Sequence, residues 1–513
     1  MNLEIRALDV IAVVLYLAGM LGLGAYFARR GSSAETYFVG RRDYSGWVVA
    51  LSMLGTIISS TTFLALPAAA YVLDWRQLAV NIPVPLLAVV AAVIFIPFFR
   101  RAGLTSAFEY LGDRFGMPAR LYGTISFVVL QLIRVAQVLF LVSLPLQFLT
   151  GAPLPWVILG GGIFVALYTI AGGMETVVWA GAAQALIMLL GGALCFVFIV
   201  TGLPGGLGQV IEVGQADGKF GFGSLDWNIH QRTFWTVFIL GIVNWLNIYS
   251  GEQTVVQRYV SAGSLREARK ATLLFAGIAF PMWTTFFFIG TALYVFFKVM
   301  PDPNVANLQP DQVLPYFVLT HMPAGLAGVV IAAVIAAAMS SLDSGVNSIA
   351  TVLVVDVVKP HVARGRSDAF YLGAARLITG GAILFMTLGA YTFSQIKKES
   401  MNDVSLIVSS VLGGALTGLY MLGFFTRRVD GFAVNVGLGV AIAVNVFLGL
   451  SLLGWLPAAI SVKVHSYWVG FLVNTTFMLV AYVVACVRRP DARDLRGLTV
   501  WTPDSAAAKP GSR

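Results

Sequence analysis

Apolar runs of roughly 20 residues or more recur along the whole chain, each long enough to cross a hydrocarbon core of about 30 Å as an α-helix. Of 513 residues, 58% are hydrophobic and 11% charged, against about 25% charged in a soluble globular protein. A water-soluble fold is excluded, and the lipid bilayer is the solvent. The net charge of +9 would suit an acidic partner, but Lys and Arg sit in short loops and form no continuous face, which argues against nucleic acid. Cys195 and Cys486 fall in separate apolar runs, so no disulfide framework is expected. Nothing in the pattern speaks to oligomeric state.

Reading apolar runs against polar punctuation predicts an all-α polytopic membrane protein with thirteen transmembrane helices. They fall at 8–28, 46–73, 78–99, 120–149, 154–171, 175–202, 234–256, 270–298, 325–356, 371–394, 403–426, 432–454 and 465–487. The opening MNLEIRALD has no net positive charge and no cleavage signature follows it, so the first span is expected to be retained. Alternate loops differ sharply in Lys and Arg: Arg29, Arg30, Arg41 and Arg42 follow the first span, whereas TGAPLP between the fourth and fifth has none. By the positive-inside rule the basic side is cytoplasmic, which puts the N-terminus outside and the C-terminus inside. The polar tail 488–513 is expected to be a disordered cytoplasmic extension.

Spans two to six and seven to eleven form two groups of five that start on opposite sides of the membrane, the pattern of an inverted repeat with a site at the repeat interface. The organisation expected is an extra helix and loop (1–45), a first repeat (46–202), an extracellular loop (203–233), a second repeat (234–426), two further helices (427–487) and the tail.

Four consecutive hydroxyls, Ser59 to Thr62, interrupt the second span between Gly55 and Pro67. Small, polar and helix-breaking residues together suggest an unwound helix whose carbonyls line a cavity; the alternative is hydroxyls bonded back to their own helix. In the ninth span, Ala337, Ser341, Ser344 and Ser348 share one stripe, with Ser340 and Asp343 beside it. Oxygen ligands of this kind suit a hard cation such as sodium, although a small-residue helix interface explains the same pattern. Arg134 lies mid-span in FVVLQLIRVAQVLF, where a guanidinium costs at least about 2.5–3.5 kcal/mol. A substrate carboxylate, an internal pair with Asp343 or Glu252, or a water-filled vestibule would each compensate it. Asn244, Asn247, Tyr249 and Gly251 interrupt the seventh span as Gly55 and Ser59 interrupt the second, and serve either a polar solute or interhelical hydrogen bonds. His230, His321, His361 and His465 lie in loops or at span ends, and Asp343 is the one clearly mid-span acid, so the chain lacks the base or carboxylate pair of an intramembrane hydrolase.

These motifs resemble the sodium/solute symporter family that includes bacterial proline, pantothenate, sugar and sialic acid carriers. The resemblance runs over roughly residues 33–430. It rests on SAETYFVGRRDYSGWVVALSMLG, TSAFEYLGDRFG, GGMETVVWAGAAQ, SGEQTVVQRY and AAAMSSLDSGVNS, and is strongest to the sialic acid carriers. It implies a leucine-transporter-type inverted repeat with one helix before and two after, in a bacterial cytoplasmic membrane. It also implies sodium held by the carbonyls of Gly55, Ile58 and Ala337 and the hydroxyls of Ser340 and Ser341. A substrate carboxylate would be held by Ser59, Thr62 and Arg134, with Gln77, Asn81 and Asn247 as further contacts. Where many members carry an aspartate, this chain has Trp179, Ala180 and Gly181; Asp343 with Ser344 would then serve a second cation, sodium or a proton. The function expected is sodium-coupled import of a small organic anion, a sialic acid or related sugar acid first. A neutral sugar or amino acid symporter, or a transporter-like sodium channel or sensor, are the alternatives.

Overall fold

The computed structural model of the protein describes residues 6–28, 34–102, 104–395, 401–488 and 494–502. Among these the regular elements are all helices, apart from an isolated parallel bridge between Tyr44 and Ala262. Ten helices are long and apolar enough to cross a membrane, or up to twelve when each of two bent pairs counts as one span. The expected thirteen is therefore not reached by length and composition. The difference lies at 154–171: the run Leu154–Gly202 turns at Gly173 (φ 58°, ψ −164°), leaving a shorter apolar helix, Leu154–Leu167, ahead of the span Gly173–Gly202. Only glycine adopts that backbone without strain. Elsewhere capping moves the boundaries: the span expected from 270 begins at Leu265, because the Ser264 hydroxyl accepts from the Glu267 N–H at 3.1 Å.

Among the described residues, two spans are bent at a break and a third helix is interrupted. Gly46–Ile57 and Thr61–Val72 meet at 61°, and Met401–Leu412 and Leu416–Phe425 at 53°. Phe234–Gly251 gives way to Gln253–Ser261 at Glu252, whose backbone is extended. The breaks at Ser59 and near Gly251 follow the sequence expectation. The break after Leu412 was not anticipated, although Gly413 and Gly414 mark it.

The serine-bearing helix Leu326–Leu353 runs through the centre of the bundle, with all but a few of its residues buried. It packs on Leu154–Gly202, Met117–Thr150 and Asp368–Phe393. Its run of Ala and Ser permits these close approaches, as expected where helices associate without a hydrophobic driving force between them. The segment 203–233 contains a helix, Gly206–Ala216, and a lysine with a structural task. Lys219 Nζ donates to the carbonyls of Tyr71 (2.7 Å) and Leu73 (2.9 Å), capping the second half of the first broken helix. Of the tail expected to be disordered, residues 494–502 fold against the bundle: the Val500 N–H donates to the Phe424 carbonyl (3.0 Å), and Trp501 Nε1 to that of Phe425 (2.9 Å). Residues 489–493 and 503–513 of that tail, and Arg29 and Arg30 of the first basic loop, lie outside the described residues.

Two charged contacts away from the centre generate tests. Asp356, with a fully buried side chain, accepts from Arg120 Nε (2.7 Å) and Ser106 Oγ (2.6 Å), tying the end of the serine helix to the start of Met117–Thr150. Removing one partner of a buried pair strands the other charge, so Arg120→Met should cost about 3–5 kcal/mol. It should lower the melting temperature in detergent, whereas breaking the exposed pair Asp494–Arg496 should leave it unchanged.

Asp311, in the helix Pro310–His321 outside the spans, has Oδ2 on the Met401 N–H at 3.1 Å and a buried Oδ1 without a hydrogen bond. Burial pushes this carboxyl up to about 7, against the Met401 N–H, which pulls it down. The folded protein therefore holds this proton more tightly than the unfolded chain. This contribution to stability falls as pH rises from about 4 and is lost as the pH passes through about 7. Melting curves between about pH 5 and pH 8 should show a steeper decline with rising pH in the wild type than in Asp311→Asn.

Candidate substrate and sodium site

The first helix break places backbone oxygens opposite the serines. Ile58 leaves the helical conformation (φ −84°, ψ 109°), and the chain resumes as a wide π turn over Thr61–Ala65. Gly55, one turn before the break, lies so near Gly181 that a Cβ there would stand 2.6 Å from the Gly181 carbonyl oxygen. A glycine is therefore required for this approach. Ser340 Oγ lies 2.6 Å from the Gly55 carbonyl and 3.1 Å from that of Ala337. Ser340 Oγ thus contacts two of the other four oxygens expected to hold sodium. Ser341 Oγ donates to the Thr56 carbonyl at 2.9 Å, an oxygen the sequence reading did not include. Ile58 sits at the break, fully buried. Neutral carbonyl and hydroxyl oxygens converging in a dry setting are the donor set a hard monovalent cation accepts.

A cavity of about 190 Å³ adjoins these oxygens, bordered by Thr56 and Ser341. Ser59, Thr62, Asn81 and Arg134 line it, as expected. Two expected contacts do not reach it. Gln77 is buried beside it, its Oε1 accepting from Asn402 Nδ2 at 2.5 Å, and Asn247 lines a smaller neighbouring cavity of about 50 Å³. In their place the unanticipated third break brings Asn402, Ser405 and Ser409 to the wall, and Asn244 and Trp245 join from the seventh span. Trp245 Nε1 is held by Asn81 Oδ1 at 3.3 Å.

Arg134 is compensated internally: its Nη1 donates to Glu252 Oε1 at 2.7 Å, and Thr254 Oγ1 donates to the same oxygen at 2.9 Å. Of the partners weighed from sequence, Glu252 is the one found. The pair does not enclose the guanidinium, which stays 39% exposed while the Glu252 side chain is 9% exposed. Planar guanidinium carries further N–H donors beyond the one used here.

Asp343 and Ser344, expected to serve a second cation, lie one turn further along the same helix. Asp343 Oδ1 accepts from Thr169 Oγ1 at 3.1 Å. Ser344 Oγ accepts from Arg258 Nη2 at 2.7 Å and lies 2.9 Å from Thr56 Oγ1. The Ser344 oxygen serves a fixed positive charge, and a like charge in contact opposes a second sodium ion there.

The model of the sodium:solute symporter family matches residues 37–433. A sodium/sialic acid symporter of Aliivibrio fischeri is 31% identical over 480 residues, 93% of this chain and 93% of that protein. Another from Proteus mirabilis is 33% identical over 433 residues, 83% of this chain and 86% of that one. Among solved structures, the substrate-bound outward-open state of a Na+-coupled sialic acid symporter superposes with a TM-score of 0.85 at 28% identity, over 95% of this chain and 99% of that one. On its helical architecture, its converging sodium-type oxygens and these matches, the chain is a multi-pass membrane transporter that belongs to the sodium:solute symporter family.

Proposed function

We propose that the protein imports a small organic anion, a sialic acid or closely related sugar acid, together with sodium across a bacterial cytoplasmic membrane, with the N-terminus outside and the C-terminus inside. The observation that carries this reading is a half-exposed guanidinium, Arg134, on a hydroxyl- and amide-rich cavity that shares a wall with the sodium-type oxygens. The substrate named for the two relatives supports the same choice. Sodium occupies the oxygens of Gly55, Ile58, Ala337, Ser340 and Ser341, and the substrate carboxylate takes the free edge of Arg134 with Ser59 and Thr62. Asn81 holds Trp245 against the solute. The two five-helix groups, 46–202 and 234–426, rock about this centre to expose it to either side in turn.

The energetics follow from charge. One sodium ion and one monoanion entering together move no net charge, so the membrane potential does no work on them. A tenfold sodium gradient then drives about tenfold accumulation, about 1.4 kcal/mol.

The Arg134–Glu252 pair favours a second reading, a neutral sugar or amino acid, because a guanidinium already compensated does not require an anion. Uptake into liposomes separates the two. With a carboxylate substrate, Arg134→Ala removes two charge-assisted hydrogen bonds and should lower sodium-driven uptake of labelled sialic acid by about a hundredfold. Sodium-driven uptake of glucose or proline, with sialic acid inert, would establish the second reading instead.

The sodium oxygens are tested separately. Ser340→Ala and Ser341→Ala should each raise the sodium concentration for half-maximal thermal stabilisation by about tenfold, without solute present. Arg134→Ala should leave that concentration unchanged.

A further inference from the structure

Beyond the sodium oxygens, the hydroxyl stripe of the central helix continues through Ser344 and Ser348 to Thr351, all on one face. Together with Asn347 they form a line of buried polar side chains leading from the site toward the arginine-rich end. Each hydroxyl is held by one short segment, Gln253–Ser261. Arg258 Nη2 donates to Ser344 Oγ (2.7 Å) and to Thr56 Oγ1 (2.8 Å). Gln257 Oε1 accepts from Ser348 Oγ (2.7 Å), and its Nε2 donates to Thr351 Oγ1 (3.1 Å) and to the Phe38 carbonyl (3.0 Å). Arg258, Gln257, Ser348 and Thr351 are at most 1% exposed. The segment begins at Glu252, the extended break residue whose carboxylate holds Arg134 in the solute cavity.

We infer that Gln253–Ser261 is the inner gate on the sodium path, with the Arg258 guanidinium as its electrostatic bolt and Glu252 as the hinge that reports solute occupancy to it. Sodium leaving the oxygens of Gly55 and Ser340 toward the arginine-rich end meets a fixed positive charge on the next hydroxyls. In a medium of low dielectric that repulsion is scarcely screened. The path opens only when the segment swings away, which breaks the Thr56, Ser344 and Ser348 contacts together. A solute carboxylate on the free edge of Arg134 stands beside the Glu252 carboxylate, and repulsion between the like charges loosens the hinge. The bolt keeps sodium from passing alone, which is the condition for coupling.

The inference rests on the sodium-symport reading, and its test is chosen to be independent of solute identity. Purified protein is reconstituted in liposomes with an inside-negative potential, and influx of labelled sodium is measured with no solute. Arg258→Gln should raise this influx by about tenfold, the loss of one charge-assisted contact, while Arg258→Lys, which keeps the charge, should stay near the wild-type rate. Should Arg258→Gln fail to melt cooperatively, Arg258→Leu/Asp343→Asn, which also removes the nearby carboxylate whose charge acts on Arg258, takes its place. Wild-type influx in a folded, sodium-stabilised neutral variant overturns the gate. Failure of the symport reading shows elsewhere, as an unmodified protein that sodium does not stabilise and that accumulates no solute.

Discussion

A helix that stops in the middle of a bilayer leaves carbonyl oxygens that water cannot reach, and everything at the centre of this protein depends on how those oxygens are satisfied. At the first break the solution is a pair of serines, with Ser340 on the Gly55 carbonyl and Ser341 on that of Thr56. On the proposed assignment, the Gly55 carbonyl and the two serine hydroxyls that stabilise the break without an ion are among the oxygens that would hold one. Binding then exchanges one satisfied arrangement for another, so the site can be occupied and vacated without either state exposing backbone to hydrocarbon.

Charge is handled with equal economy. Arg120 is matched by Asp356, Arg134 by Glu252 and Arg258 by neighbouring hydroxyls and a carbonyl. These three guanidinium groups link helices distant in sequence; Arg134 bonds the break residue Glu252, and Arg258 belongs to the short segment that follows it. Compensation by hydrogen-bonded partners lets a strongly charged side chain remain in a low-dielectric interior. It also means that each such side chain can change partners only when helices move.

Much of this was legible in the chain itself. Periodic apolar length identified the spans, four adjacent hydroxyls marked the first break, and the serine stripe of the ninth span suggested a cation, while the choice of Ser340 and Ser341 came from the family resemblance. What escaped the sequence was pairing. The sequence reading weighed Asp343 and Glu252 alike as partners of Arg134, and nothing local selects Glu252, 118 positions away; nothing local to Ser344 says that Arg258 takes its oxygen. Asn402, Ser405 and Ser409 were passed over because their span read as one continuous helix. The adjacent glycines Gly413 and Gly414 were the available sign that it is not. Gln77 and Asn247 were assigned by likeness of position, and the actual rotation of their helices turns them aside.

The third broken span has one further property. Its second half, Leu416–Phe425, is fastened at its far end, where Val500 and Trp501 take the last-turn carbonyls of Phe424 and Phe425. Its near end is the glycine pair. A beam clamped at one end and jointed at the other transmits displacement only beyond the joint. Any rearrangement of this span would therefore turn at the glycine pair, and Met401–Leu412, the half that carries Asn402, Ser405 and Ser409, would leave its post only by releasing the latches that Asp311, Gln137 and Gln77 place on Met401 and Asn402.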